Sequence, residues 1–441
     1  MIRTVRHMQE TNHPAERNAP TAWAKLLAAV LLCGATGAVQ AQLVGSPDEH
    51  PAMVDPIDKG EQPIVHLNPD DPGYDAWRVV REDLAEGREP GPINVQRYKG
   101  GFPWIGIPTF FHLPVALTPE DLKAGEVDVA IMGAELVGGM RARTWGPMEM
   151  RNPHRSEIYH LWGEWAMPEL DSGLAWEREL RVVDYGDAPM EPLSLERTIP
   201  EVRKLVRQIA GVKLKNGKQT VPIIVGGAHA LMYPDYAALA DVYGKDKIGV
   251  IHFDAHQDYA PTGFGHIHTH GNPVRALLLE GFLEGDKFVQ VGLRGPTSTD
   301  VPTLKEARAA GIRYHTMAEV EKRGWEAVME DALKEVREQA DYLFISFDVD
   351  VIDPTFMPGT ATPEPGGLYI REVLPMMRRL CAENDIVGVE IVELKPDADV
   401  GYTSVQNAKA VLRQCLNGMA MRKKGLTEPG YLHPVMVDDG H

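Results

Sequence analysis

Cysteine is nearly missing from this chain: three residues in 441, at Cys33, Cys381 and Cys415. So few cannot make a disulfide framework. Positive charge is also short, since 45 Lys and Arg face 63 Asp and Glu, leaving a net charge of −18. That balance argues against nucleic acid and anionic membrane as partners and suits a cationic ligand. No internal repeat and no low-complexity tract occurs. Long apolar runs are absent but for one, Leu26 to about Ala38, which is short for a bilayer span.

What is present fits a globular protein with a large core: 44% of residues are hydrophobic and 24% charged. Arg17 and Lys25 precede the apolar run, and Val39-Gln40-Ala41 offers small residues where a signal peptidase reads. Residues 1–41 therefore read as a secretory signal, and the protein is expected to be exported, periplasmic or secreted, with no membrane contact in the mature chain. Cys33 lacks the small residue before it that a lipoprotein site needs. The mature chain keeps Cys381 and Cys415, and export permits a disulfide between them.

Residues 42–103 are rich in Pro, Asp and Gly and read as an extended surface arm, with a short helix over Asp75–Glu86. A core domain follows over 104–425, and 426–441 form a tail. Within the core, strand-like runs lie at Val127–Met132, Leu180–Tyr185, Val221–Val225, Ile248–Phe253, Phe288–Leu293, Ile312–Thr316, Tyr342–Phe347 and Ile386–Val392. Helical periodicity separates most of them, at Ser194–Ile209, Ala230–Tyr243, Pro273–Leu283, Trp325–Gln339 and Ile370–Glu383, and a last helix runs from Ser404 to Arg422. Largely apolar strands alternating with helices predict a three-layer α/β/α fold around a mostly parallel, about eight-stranded sheet. Ligands bind such sheets beyond the carboxyl ends of the strands. Arg141–Pro147 and His160–Trp165, in the long connection after the first strand, could wall a pocket there or serve as buried structural groups.

Three strands run into metal-competent side chains. Ile248–Phe253 leads into Asp254, His256 and Asp258, which share one face if the chain stays extended. Val221–Val225 leads through Gly226-Gly227-Ala228 to His229, and the glycines allow a tight turn. Tyr342–Phe347 leads into Asp348 and Asp350; Asp353, before Pro354, reads as a turn residue. Carboxylates grouped beside Phe, Val and Ile need counter-charge, because desolvating them is costly. Four carboxylates and two imidazoles exceed what one zinc needs and suit two divalent ions. Mostly oxygen ligands favour Mn²⁺, with Ni²⁺, Fe²⁺, Co²⁺ or Zn²⁺ as alternatives.

The order GGAH, DAHQD, SFDVDVIDP resembles the ureohydrolases: arginases, agmatinases and related guanidino-compound hydrolases. The likeness runs from about Phe102 to Arg422 and includes Ile107-Pro108-Thr109-Phe110 and the segment Met357–Leu368. It implies a two-manganese centre that releases urea and an amine from a small cationic guanidino substrate, in a homotrimer or homohexamer. By that likeness His229 and His256 each bind one ion, Asp254 and Asp348 bridge, and Asp258 and Asp350 complete the two shells. His270 matches a proton shuttle, and Glu393 the carboxylate that holds the guanidinium. His266 and His268 compete for the shuttle. Glu390, an odd number of residues from Glu393, is expected to face away and be structural.

Two departures stand out. Ala228 replaces an acidic residue usual beside the first ligand, and Ala260 replaces the asparagine with which arginases hold the substrate's α-carboxylate. L-Arginine is therefore disfavoured, and agmatine, a guanidino acid or a simple guanidine remains. A one-zinc amide hydrolase and a non-catalytic metal-binding subunit of a mixed oligomer are the alternatives to an agmatinase-like enzyme.

Overall fold

The computed structural model describes residues 67–97, 106–137, 145–152, 166–263, 265–296 and 300–437. The expected signal segment 1–41, part of the arm, Arg141–Thr144 and His160–Trp165 lie outside the described residues. Two compact units are distinguished, Met1–Tyr74 and Asp75–His441. Of the first, only 67–74 are described, a short turn in which Tyr74 N–H donates to the Asp71 carbonyl at 2.9 Å.

The second unit is built on eight parallel strands: β1 (Val129–Ala134), β2 (Val182–Asp187), β3 (Val221–Gly226), β4 (Ile248–Phe253), β5 (Phe288–Leu293), β6 (Arg313–Thr316), β7 (Tyr342–Asp348) and β8 (Ile386–Val392). Their order across the sheet is β2-β1-β3-β8-β7-β4-β5-β6, with parallel pairing at every step. The helices named below are α1 (Pro119–Ala124), α2 (Leu195–Ala210), α3 (Met232–Tyr243), α4 (Pro273–Leu279), α5 (Val301–Ala309), α6 (Trp325–Arg337), α7 (Ile370–Glu383) and α8 (Thr403–Lys423).

Strand alternation divides the core in two. Ile223, Val225, Ile251, Phe253, Ile345, Phe347, Val389 and Ile391 pack with α6, α7 and α8. Their neighbours Ile224, Val250, Phe344 and Val387 pack with α2, α3 and α4. Period-two apolarity on both faces is why these strands read as near-continuous hydrophobic runs. The helices carry the matching stripe; in α2, Ile199, Val202, Val206 and Ile209 are buried, and Ser194 Oγ caps the first turn by accepting from Arg197 N–H at 3.3 Å. Gly249 on β4 leaves no room for a side chain, since a Cβ there would run into Val336 of α6. Cys381 of α7 and Cys415 of α8 are buried free thiols whose sulfurs face each other at 2.7 Å.

The expected helix over Asp75–Glu86 is instead two single 3₁₀ turns, Ala76–Arg78 and Glu82–Ala85. The chain after them is tied to the core at one knot. Asp121, in the first turn of α1, is fully buried. Its carboxylate accepts both Arg88 Nη groups, at 2.6 and 2.7 Å, and the amides of Gly91, Leu117 and Thr118. A short antiparallel bridge between Ile93 and Val115 lies beside it.

Candidate metal centre

The four middle strands, β3, β8, β7 and β4, deliver all the chemistry at their carboxyl ends. After β3 the chain turns through Gly226 and Gly227, and a Cβ on Gly227 would strike the backbone of Leu136. That close passage sets His229 over the sheet at the start of a 3₁₀ turn. Its Nδ1 lies 3.1 Å from Asp254 Oδ2, 3.0 Å from Asp258 Oδ2 and 3.2 Å from Asp348 Oδ2. On the other side, His256 Nδ1 lies 2.9 Å from Asp350 Oδ2 and 3.4 Å from Asp254 Oδ1. Asp254 therefore turns one oxygen to each imidazole, the arrangement of a bridging carboxylate. All six residues proposed as ligands meet at this point.

They do not meet through simple strand alternation. β4 ends at Phe253, one residue before Asp254. Asp254 Oδ1 accepts the His256 N–H two residues on, and Asp258 takes the left-handed backbone, φ 50°. β7 repeats the device: Asp348 Oδ1 accepts the Asp350 N–H at 2.8 Å, which opens the turn Val349–Val351. Side-chain-closed turns, not an extended face, aim the ligands. Asp353 is the expected turn residue, accepting from Thr355, Gly366 and Gly367 N–H groups.

The donor set fits a pair of divalent cations. Burial opposes charge on His256, yet Asp254 and Asp350 outweigh it and push its pKa up to about 12. His229 is raised likewise, burial again opposing and Asp254, Asp258 and Asp348 prevailing. Burial, Asp350 and Asp254 together push Asp348 well above the usual carboxylate range. Carboxylates this crowded call for positive charge among them. Asp254 Oδ2 and His229 Nδ1 are buried with no hydrogen-bond partner, as atoms meant for a cation are. Two overlapping groups result: His229 with Asp254 and Asp258, which His252 also joins, and Asp254 with His256 and Asp350.

Glu393 follows β8 with φ 63°, a left-handed residue one step past the last strand position. The turn cancels the parity that set Glu390 apart from it. Glu393 Oε1 accepts the His229 backbone N–H at 2.7 Å, and Glu390 Oε1 lies 3.8 Å from the same residue's Nε2. Glu393 Oε2 is buried without a partner, and burial lifts the acid's pKa to about 8. A cavity of about 580 Å³ opens here, lined by His256, Asp258, Asp348, His270, Asp300, Thr362, Glu364 and Glu393 among others. The other two histidines are not among its lining residues: His266 pairs with Glu196 at 3.0 Å, and His268 packs against Tyr233 with ring centroids 4.4 Å apart.

Sequence reasoning passed over His252, Ser346 and Arg294. His252 and Ser346 lie two residues before Asp254 and Asp348, on the same strand face, so reading back by two from each ligand finds them. Arg294, just past β5, donates to the carbonyls of Gly292, Asp350 and Glu364 and ties two site loops together. No local pattern in the sequence marks it.

A model of the arginase family matches residues 127–417. A guanidinopropionase of Pseudomonas aeruginosa is 36% identical over 306 residues, covering 68% of this chain and 87% of the relative. A mitochondrial agmatinase of Gallus gallus is 30% identical over 310 residues, covering 69% and 83%. Among solved structures, the proclavaminate amidino hydrolase of Streptomyces clavuligerus superposes with a TM-score of 0.62 at 28% identity, covering 73% of this chain and 100% of that one.

Proposed function

The chain belongs to the arginase family, and from that premise we propose that it hydrolyses a guanidino compound to urea and an amine, using two divalent ions, Mn²⁺ or Ni²⁺. The observation that carries this reading is the double convergence on Asp254, with a partnerless Glu393 oxygen beside it in an open cavity.

His229, Asp254, His256, Asp258, Asp348 and Asp350 would hold the ions, which would supply positive charge and acidify a water enough to attack near neutral pH. Glu393 does the orienting. Its Oε1 is fixed by the His229 N–H, so Oε2 stands ready for a guanidinium N–H, a charge-assisted bond. Asp258, at the cavity wall, accepts a hydrogen bond from the attacking water and sets its direction. Oxygen from water joins the guanidinium carbon, the C–N bond to the amine breaks, and His270 gives the departing nitrogen a proton.

Five carboxylates line the cavity, and no Lys or Arg does among the described residues. That favours a guanidine whose distal group is cationic or neutral, such as agmatine or an alkylguanidine. The guanidinopropionase relative favours a second reading, a guanidino acid. Urea release by the Mn²⁺-loaded or Ni²⁺-loaded protein across agmatine, alkylguanidines, guanidinopropionate and guanidinobutyrate separates them. The first reading expects kcat/KM about tenfold or more higher for the cationic and neutral compounds, roughly 1.4 kcal/mol. The reverse order selects the guanidino acid, and no urea from any compound refutes the reaction.

A further inference from the structure

Two thiols that the metal chemistry leaves unused meet in the helix layer. Beyond residue 41 the sequence holds only two cysteines, Cys381 and Cys415. They lie 34 residues apart, in the separate helices α7 and α8, yet their sulfurs face each other at 2.7 Å. Both residues are fully buried. Packing alone does not call for this meeting, since a buried thiol is a small hydrophobe with a weak donor, and Ala or Val would fill the seam. Gly418, one turn past Cys415, brings the helices together. A Cβ on it would lie 2.8 Å from Cys381 Cβ and closer still to the Arg378 carbonyl oxygen. With no side chain at 418 the two backbones touch, and the neighbouring cysteines come within the short reach that a disulfide demands.

The two sulfurs are not equally placed. Cys381 lines a cavity of about 480 Å³ whose walls include Val129, Val221 and Ile386, the first residues of β1, β3 and β8. That cavity lies at the amino ends of the strands, the opposite end of the sheet from the metal centre. Cys415 is not among its lining residues. Cys381 is therefore the sulfur that meets an incoming reagent, and Cys415 stands behind it. Burial and the neighbouring Cys415 push the Cys381 thiol well up, so exchange is slow once the helices have packed and faster while they are still coming together.

We propose that Cys381 and Cys415 are joined by a disulfide in the mature protein, a covalent tie between α7 and α8 formed with a glutathione or protein disulfide as oxidant. The Cys381 thiolate attacks that disulfide and releases one thiol; the Cys415 thiolate then attacks the mixed disulfide and releases the second. Two electrons and two protons leave the cysteine pair, and the oxidant becomes two thiols. The tie closes a loop that contains β8 and Glu393, restricts the unfolded chain and so stabilises the fold. Such bonds persist in oxidising compartments, which agrees with the secretory signal read at 1–41.

The test counts thiols in the full chain. Protein made in a reducing cytoplasm is held with excess oxidised glutathione, in urea below its unfolding transition, where helices part transiently. It is then quenched, unfolded, alkylated with iodoacetamide and digested for mass spectrometry, with and without reduction beforehand. Without reduction we expect no label at 381 or 415 and a linked peptide pair two hydrogens lighter than its thiols; after reduction both take the label. Two labelled cysteines without reduction overturn the proposal, as does a separate glutathione on each or a bond from either to Cys33. The Tm of the oxidised protein should exceed that of the reduced one by several degrees, and a Tm indifferent to reduction overturns the stabilising role. Cys415→Ala should lose that difference and retain glutathione on Cys381; no glutathione there overturns the order of attack. If Cys415→Ala does not fold, the thiol count of the wild type decides.

Discussion

Three single residues separate binding of the ions from handling of the substrate. Asp348 faces His229 at 3.2 Å and its carboxylate opens the Asp350 turn, so Asp348→Asn keeps the turn but removes the charge. We expect metal content by elemental analysis to fall to one ion per chain or fewer, with urea release lowered at least about 100-fold. Glu393→Gln keeps an acceptor for the His229 N–H and loses only the charge that meets the guanidinium. Metal content should be unchanged and kcat/KM down on the order of 100-fold. His270→Asn, at the cavity wall, should retain both ions and lower kcat about 100-fold. At this scale the candidate positions were legible because chemistry of this kind has few residue types to choose from. The reason they converge was not, since alternation describes a strand and these groups sit at its last residue or in the turns after it. His252 and Ser346 were hidden for the converse reason: inside a strand, one polar residue among apolar ones reads as noise.

Among elements, the knot at Asp121 makes the clearest prediction. Burial works against the charge, but Arg88 and the Gly91 and Leu117 amides outweigh it and hold the carboxyl below its usual range. The folded protein thus binds fewer protons at Asp121 than the unfolded chain, whose aspartates titrate near about 3.9. The resulting stabilisation is complete above that value and is lost as pH falls through the folded pKa. Asp121→Asn should cost about 3 kcal/mol at pH 7 in denaturant unfolding and show less additional loss on acidification than the wild type. Hydrogen exchange at 75–97 should rise in the same variant.

Six strands were legible to within a residue at either end, most of them because they are apolar on both faces, while β1 and β2 each begin and end two residues later than expected. Two of the helices that escaped notice did so because they bury so little: α5 has only Ala307 buried and the helix Met317–Arg323 only Val320. The short helix α1 had a signal, Thr118 capping Asp121 reciprocally, that a search for apolar periodicity ignores.

For the whole molecule, the arrangement of elements decides what metal removal does. The centre draws its ligands from three strands and touches a fourth, all in the middle of the sheet. Ions bound there stabilise the folded state alone, so stripping with a chelator should lower Tm by several degrees and reloading should restore it. A Tm indifferent to chelation would mean that nothing occupies the centre in solution. Strand order was not legible, because adjacency of β3 with β8 and of β7 with β4 depends on crossovers that no local pattern encodes.

The bond from the His229 amide to Glu393 makes one carboxylate serve two masters. On the proposed reading, the group that would grip the substrate is also a strut for a residue that would grip an ion. Any lineage that reshapes this chain for a new guanidine by moving residue 393 also disturbs its appetite for metal. Specificity is therefore easier to alter at exposed lining residues such as Asp300 or Thr362 than at Glu393.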